Sequence, residues 1–267
     1  VYVNPKLVHF HLLDKAISFD DDQERLFRIK PPAIIIGSAG SGKTVLTLEK
    51  LKTLKGDGLY VTLSPFLVEN SARLYYANHY ENDSQEVDFL SFREFLESIR
   101  IIDGREIDFQ AFERWLAPRS HSFGIKDHYK LYEEFRGVLT GRDITKEYLG
   151  IEDYLKLGVR QSIFLKDERE KVYNVFRKYL EFLDDNNYYD LNMASWRWLG
   201  HCKPRYDFIV VDEVQDFTNI QLFILLKSLR NKDHFILCGD SNQNVHPNFF
   251  SWANVKTMFY QHDLSKG

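Results

Sequence analysis

An eight-residue glycine-rich segment, Gly37–Thr44, constrains the fold of this chain more than any other feature. Its sequence, GSAGSGKT, matches the phosphate-binding pattern G-x-x-x-x-G-K-[ST]. The apolar run Ala33–Ile36 precedes it with the length and β-branching of a buried parallel strand. The segment Val45–Leu51 follows it and can open a helix. Strand, loop and helix in this order are the context that the motif requires, so the sequence predicts a P-loop in an α/β sheet.

The chemistry of a P-loop predicts a role for each of its residues. Glycines let the backbone N–H groups point inward at phosphate oxygens, and the helix N-terminus adds partial positive charge. Lys43 would reach the β- and γ-phosphates of a nucleoside triphosphate, and Thr44 would ligate Mg²⁺. The predicted phosphate-binding residues are Gly37, Ser38, Ala39, Gly40, Ser41, Gly42, Lys43 and Thr44.

Length and composition permit a sizeable core and exclude several protein classes. The 267 residues, 44% of them hydrophobic, suffice for one large domain or two smaller ones. No apolar run approaches the ~20 residues of a membrane span, and no signal-peptide pattern is present. Cys202 and Cys238 have neither a disulfide framework nor metal-ligand spacing, which indicates an intracellular, reducing setting. We expect a cytoplasmic protein, with a nucleoid or a nucleus as the alternatives.

The net charge bears on nucleic-acid binding, and the two ends of the sequence bear on whether the chain is a fragment. The net charge of −4 is not that of a protein that coats nucleic acid by charge alone, although it permits one local basic groove. The chain begins at Val1 rather than Met and shows no ending signal at Gly267. We therefore expect a fragment of a longer protein.

Strand-like runs alternate with helical patterns, as in a mostly parallel α/β sheet. The predicted strands are Ala33–Ile36, Leu59–Leu63, Val87–Leu90, Phe208–Val211 and His234–Cys238. The predicted helices around them are Phe66–Tyr80, Ser91–Ile99 and Asn219–Leu229.

The alternation of strands and helices stops between about Ile101 and Lys203. This block has no strand runs, and its apolar positions three and four apart indicate helices. A loop of that length would be implausible in a compact domain, so we interpret the block as a helical subdomain. The predicted organisation is an α/β domain made of 1–100 and 204–267, with a helical insertion at 101–203.

Two further polar segments follow predicted strands, where ligands bind in open α/β sheets. After Phe208–Val211, Asp212 can hold Mg²⁺ and Glu213 can take a proton from an attacking water. After the last strand, the segment Gly239–Gln243 places an amide that can orient that water or sense the γ-phosphate. Because the carboxyl ends of parallel strands share one edge, these segments are expected to converge on the P-loop.

Together these segments resemble motifs I, II and III of the UvrD/Rep-like superfamily 1 DNA helicases, in the N-terminal ATP-binding region (domains 1A and 1B). The residues that carry the likeness are Gly37–Thr44, the DEVQD of Asp212–Asp216 and the GDSNQ of Gly239–Gln243. The resemblance implies a RecA-like P-loop NTPase sheet flanked by helices, with the helical block as the inserted subdomain. It also implies ATP and Mg²⁺ as cofactors, and a glutamine, Gln23, that selects adenine.

The same resemblance implies roles in the reaction. Lys43, Glu213 and Gln243 would be the catalytic residues: the phosphate-binding cation, the base and the γ-phosphate sensor. Thr44 and Asp212 would hold the Mg²⁺.

Contacts to nucleic acid are implied by two segments that resemble motifs Ia and Ib, Val61–Ser64 and Leu90–Phe92. The candidate contact residues are Thr62, Ser64, Ser91, Phe249, Phe250 and Trp252. The chain departs from the family here, because motif Ia lacks the usual Phe-Thr-Asn-Lys and motif III lacks the usual arginine. The three aromatic residues would either stack on bases, for ~1–3 kcal/mol each, or cover an edge of the core.

The implied function is that of a motor domain that couples ATP hydrolysis to movement on, or unwinding of, single-stranded or partly duplex DNA. Nothing after Gln243 resembles motifs IV, V and VI, which lie on a second RecA-like domain in this family. We therefore expect little or no activity from this chain by itself. Two alternatives stay open: a nucleotide-gated protein-interaction module, and an ATPase that remodels RNA or RNA polymerase.

Overall fold

The computed structural model describes residues 21–38, 41–77 and 80–240. Its strands are β1 (Ala33–Gly37), β2 (Gly56–Thr62), β3 (Gln85–Ser91), β4 (Arg105–Glu106), β5 (Tyr188–Tyr189), β6 (Phe208–Val211) and β7 (Phe235–Asp240). The α-helices before residue 100 are α1 (Asp21–Arg28), α2 (Lys43–Leu51), α3 (Pro65–Tyr75) and α4 (Phe92–Ile99). The later ones are α5 (Phe109–Leu116), α6 (Ser120–Phe123), α7 (His128–Glu133), α8 (Ile151–Leu155), α9 (Arg169–Asp185), α10 (Leu191–Trp198) and α11 (Asn219–Lys227). A π-helix spans Glu134–Thr140, and 3₁₀ turns span Ala117–Arg119, Val159–Gln161 and Val214–Asp216.

Five of the strands form one parallel sheet in the order β1-β7-β6-β2-β3. The central strand β6 and its neighbour β7 are buried along their whole length, as expected of continuous apolar runs in a parallel sheet. Helices flank this sheet, and Leu46, Leu48 and Leu51 of α2 pack in one core with Ile35 and Ile236. The predicted fold class is confirmed: an α/β protein with a RecA-like parallel sheet.

Strand register aligns the polar segments along one edge of the sheet. On β1, Gly37 is in register with Asp240 of β7, and on β6, Val211 is in register with Leu237. The chain therefore leaves β1, β6 and β7 at the same, carboxyl edge.

The described residues divide into two compact units. The sheet unit contains the described residues within 21–91, 205–214 and 229–240, and the helical unit contains 92–204 and 215–228. The domain limits given by the sequence, 1–100 with 204–267 and 101–203, stay a prediction.

The helical unit has an aromatic core of its own. Phe135 contacts Phe176 and Tyr179 with ring centroids 5.0 and 5.1 Å apart, and Phe112 contacts Tyr179 at 5.6 Å. Ring pairs in this range add stabilisation beyond the area that they bury.

The expectation that the helical block contains no strands is wrong in one detail. The two-residue strands β4 and β5 pair in parallel, with Arg105 opposite Tyr188 and Glu106 opposite Tyr189. Pairs this short have no sequence period, so pattern analysis misses them.

A buried polar cluster fixes the segment 157–164 of the helical unit. The carboxylate of Glu134 accepts hydrogen bonds from the Tyr154 hydroxyl at 2.6 Å, the Ile163 N–H at 2.8 Å and the Ser162 hydroxyl. The buried guanidinium of Arg169 donates to backbone carbonyls of the same segment, including that of Gly158 at 3.0 Å. Burial raises the pKa of Glu134, while its hydroxyl and N–H donors and Arg169 lower it.

Among the residues that the structure describes, no helix combines the length and the apolar character needed to cross a membrane.

Candidate nucleotide-binding site

The P-loop segment leaves β1 and enters α2 at the carboxyl edge of the sheet. Gly42 is the N-cap of α2 and has φ 76°, a left-handed conformation that favours glycine. A Cβ on Gly37 would lie 2.8 Å from Ser41 Oγ, so a side chain at the first glycine would force the Ser41 side chain to shift. The Lys43 ammonium donates to the carbonyls of Gly37 at 3.0 Å and Ser38 at 2.7 Å. Ala39 and Gly40 lie outside the described residues.

The P-loop threonine meets the aspartate that follows β6. Thr44 Oγ1 donates to Asp212 Oδ2 at 3.0 Å, although 168 positions separate the two residues. Asp212 is only 4% exposed, and its Oδ1 accepts the N–H of Glu213 at 3.0 Å. Glu213 is half-buried and has φ 51°, a left-handed conformation that is uncommon outside glycine.

A buried tyrosine and a buried cysteine also surround Asp212. The Tyr60 hydroxyl donates to Asp212 Oδ2 at 2.6 Å and accepts from Ser71 Oγ at 3.0 Å. Burial raises the pKa of Tyr60 well above its usual value, and the Asp212 carboxylate raises it further. Burial likewise raises the pKa of the Cys238 thiol, with Asp212 as the second cause. Sequence analysis missed Tyr60; the available signal was a tyrosine within an apolar strand, where its hydroxyl needs a partner.

The glutamine expected to select adenine lies beside the P-loop. Gln23, on α1, donates from Nε2 to the carbonyl of Ser41 at 3.0 Å. The buried Lys50 of α2 donates to the carbonyls of Leu26 at 3.4 Å and Phe27 at 2.8 Å, and also to that of Ile29. Burial lowers the pKa of Lys50. Lys50 therefore caps the C-terminal end of the helix that carries Gln23, and sequence analysis gave no sign of this contact.

The residues present fit a magnesium–nucleotide. Ser41 Oγ is buried and has no hydrogen-bond partner within the described part of the chain, as expected of a group that faces a ligand. Thr44 Oγ1 and Asp212 Oδ2, a hydroxyl and a carboxylate oxygen 3.0 Å apart, are oxygen donors of the kind that Mg²⁺ binds. The described residues contain no cluster of three or more His, Cys, Asp or Glu, and Mg²⁺ needs none, since phosphates and waters complete its shell.

The residues predicted to contact nucleic acid have varied surroundings. Thr62 and Ser91 are buried, so a nucleic-acid strand would reach their side chains only if neighbouring segments of the protein moved. Ser64 is the N-cap of α3 and accepts the N–H of Leu67 at 3.4 Å. Phe66, the second residue of the same helix, is 69% exposed. Gln243, Phe249, Phe250 and Trp252 lie outside the described residues, so their roles stay predictions.

The fold and this loop place the chain among the α/β proteins with a RecA-like sheet and a P-loop. A family comparison adds the narrower class: the model of the UvrD/REP helicase N-terminal domain matches residues 143–263. The chain therefore carries a UvrD-like N-terminal region, and the resemblance drawn from its motifs is confirmed. The matched range includes Asp212 and Glu213, whereas Gly37–Thr44 precede it.

One curated relative is a human protein, TPR and ankyrin repeat-containing protein 1 (Homo sapiens). It is 26% identical to this chain over 122 residues, which are 41% of this chain. The aligned stretch covers only 4% of the human protein's length.

Proposed function

We propose that this chain is the ATP-binding motor region of a superfamily 1 DNA helicase or translocase. The observation that carries the proposal is the hydrogen bond between Thr44 and Asp212, which joins the P-loop to the end of β6. A P-loop threonine and an aspartate after a neighbouring strand are the pair that holds Mg²⁺ in P-loop NTPases. The UvrD-like match over residues 143–263 supports the helicase class.

In the proposed reaction, the loop N–H groups and the Lys43 ammonium bind the β- and γ-phosphates of ATP. Bound Mg²⁺, held by Thr44 and Asp212, would neutralise charge on the phosphates. Glu213 would accept the proton of the attacking water as general base. Gln23 would recognise adenine from its place beside Ser41.

Gln243 would sense the γ-phosphate and report its loss. Hydrolysis would then open and close a cleft between this region and a second RecA-like domain, and so advance the protein along a DNA strand. Contact with the strand would use the edge of the sheet near Ser64 and the aromatic residues Phe249, Phe250 and Trp252.

The experiment that tests the proposal is ATP hydrolysis with and without a single-stranded DNA oligonucleotide, measured on a longer protein in which this chain is joined to its second RecA-like domain. We expect Lys43→Ala to lose tight ATP binding, because the loop then lacks its only side-chain cation. We expect Glu213→Gln to bind ATP normally and to lose about 10²–10⁴-fold in turnover, the usual contribution of a general base. Unchanged turnover in Glu213→Gln would exclude the base assignment.

The second candidate function is a nucleotide-gated protein-interaction ATPase. The supporting observation is the human relative, whose name records TPR and ankyrin repeats, since such repeats stack into extended binding surfaces. The altered motif Ia, Leu63–Phe66, also favours it slightly. In the same assay this candidate predicts hydrolysis that ignores DNA, and stimulation by RNA alone would instead favour an RNA-directed ATPase.

A further inference from the structure

A buried tyrosine on β2 contacts the carboxylate that the proposed function assigns to Mg²⁺. Tyr60 is fully buried, and its ring packs against Phe89 with centroids 5.3 Å apart. Its hydroxyl donates to Asp212 Oδ2 at 2.6 Å and accepts from Ser71 Oγ at 3.0 Å. Ser71 lies on α3 and is buried as well. The two hydroxyls therefore form a short buried chain that ends on Asp212.

The register of the sheet explains why Tyr60 reaches that carboxylate. Tyr60 is in register with Val210 on the adjacent strand β6, two residues before Asp212. Side chains two residues apart on a strand share a face, so Val210 and Asp212 point to the same side of the sheet. A tyrosine is long enough to extend from the strand interior to the carboxyl edge, whereas an aliphatic side chain at this position would end short of Asp212.

The donors around Asp212 divide into two kinds. Oδ2 accepts from the hydroxyls of Thr44 and Tyr60, and Oδ1 accepts from the Glu213 N–H. Thr44 is itself a proposed Mg²⁺ ligand, so its hydroxyl serves the ion as well as the carboxylate. Tyr60, the Glu213 N–H and the Cys238 thiol contact the carboxylate independently of the ion, and of these Tyr60 is the hydroxyl donor to Oδ2.

We propose that Tyr60, supported by Ser71, is a positioning residue that orients Asp212 for the magnesium–nucleotide; this inference rests on the proposed function. Removing an outer partner of a metal-binding group typically costs 10–100-fold in metal affinity. Mg²⁺ takes few protein ligands and keeps several waters, so the expected loss is at the lower end, about tenfold.

The test measures how much Mg²⁺ strengthens nucleotide binding, with no hydrolysis involved. The Kd of a fluorescent, non-hydrolysable ATP analogue is determined in excess Mg²⁺ and again in EDTA, and the ratio of the two values is the readout. In Tyr60→Phe, which keeps the ring and its contact with Phe89, we expect this ratio to fall about tenfold while the Kd in EDTA stays unchanged. Ser71→Ala should lower the ratio in the same direction by a smaller factor.

Tyr75→Phe is the matched control. Tyr75 is a buried tyrosine of the same unit whose hydroxyl donates to Gln85 Oε1, so it has no part in the Asp212 cluster. We expect Tyr75→Phe to lower stability and to leave the Mg²⁺ ratio at the wild-type value. A wild-type Kd ratio in Tyr60→Phe, or a fall in the ratio of Tyr75→Phe as large as that of Tyr60→Phe, would overturn the positioning role.

The same titration separates failure of the inference from failure of the proposed function. If the wild-type protein binds the analogue no more tightly in Mg²⁺ than in EDTA, and Lys43→Ala binds it equally well, the ATPase proposal itself fails, and the inference with it. If the wild-type protein shows the Mg²⁺ effect and Tyr60→Phe keeps all of it, only the inference fails.

Discussion

Glu213 combines the proposed catalytic carboxylate with an unfavourable backbone. Its φ of 51° lies in the left-handed region, where a non-glycine residue costs about 1–3 kcal/mol. The cost is consistent with a functional position, because a glycine would adopt the same backbone without strain but would carry no carboxylate. Stability and the proposed hydrolysis therefore make opposite demands on this position.

We expect Glu213→Gly to raise the free energy of unfolding by up to about 2 kcal/mol, because the relieved strain exceeds the ~0.4–1 kcal/mol that glycine costs through its more flexible unfolded chain, and to abolish hydrolysis. Asn187→Gly is the control, because Asn187 has a nearly identical φ of 53° and lies in the helical unit. It should change stability by a similar or smaller amount and leave hydrolysis intact. Denaturant unfolding and an ATPase assay on both variants measure the two effects, and a destabilised Glu213→Gly would contradict the strain argument.

The roles of residues that depend on their neighbours in the chain were predictable from the sequence, whereas contacts between residues far apart in the chain were not. The spacing of Gly37, Gly42, Lys43 and Thr44 predicts the P-loop directly, because each residue type meets a local requirement of backbone conformation or phosphate binding. Nothing local predicts that Lys50 caps α1, since the carbonyls that it meets lie more than twenty positions earlier. Nothing in the sequence distinguishes Lys50 from an exposed surface lysine, although the fold buries it.

At the scale of elements, strands were predicted well because continuous β-branched runs are specific to buried parallel strands. The run Phe208–Val211 is the strand β6 as predicted, whereas β2 begins at Gly56, three residues before the expected Leu59. Glycines carry no hydrophobic signal, yet their backbone groups pair in the ladder. The helix predicted over Phe66–Tyr80 ends at Tyr75. The sheet order was not predictable, because it depends on pairings between strands far apart in the chain.

The π-helix Glu134–Thr140 begins with a buried carboxylate, which predicts a pH dependence. Burial raises the folded-state pKa of Glu134 above its unfolded value near 4.5, so the folded protein holds this proton more tightly. The stability that arises from the raised pKa of Glu134 is therefore fully present below pH 4.5 and is lost as pH rises through the folded-state pKa. Tyr154 and Ser162 can accept as well as donate, so a glutamine at this position can keep its hydrogen bonds.

We expect the stability of the wild-type protein relative to Glu134→Gln to decline as pH rises from about 4 to 8. Denaturant midpoints of the two proteins across this pH range measure the difference in stability. The contributions of all other titrating groups are common to both proteins and cancel to first order. A difference that grows with pH, or that is constant, would show that the folded-state pKa of Glu134 is not raised.

At the scale of the whole molecule, nucleotide binding should leave a regional signature. A ligand at 100 times its Kd stabilises the folded state that binds it by about 2.7 kcal/mol. We expect magnesium–ATP to slow amide hydrogen exchange in the sheet unit, at 41–48, 58–62 and 209–214. Exchange at 109–116 and 172–183 of the helical unit should change little.

Hydrogen-exchange mass spectrometry with and without the nucleotide measures this pattern, and Lys43→Ala serves as the control. Slowing confined to the helical unit, or identical patterns in wild-type protein and Lys43→Ala, would contradict a nucleotide site at the carboxyl edge of the sheet.

The sheet order has a consequence for how the protein is made. The central strand β6 and its neighbour β7 are the last strands of this sheet in the described chain, and Leu59 of β2 pairs with Ile209, about 150 residues later. At ~5–20 residues per second, a ribosome needs roughly 10–30 s to produce that partner. Meanwhile β1 and β2 have emerged without the strands that separate them, and open strand edges invite aggregation. In a nascent chain that stalls before Phe208, β1 and β2 therefore keep unpaired edges, which we expect chaperones to protect.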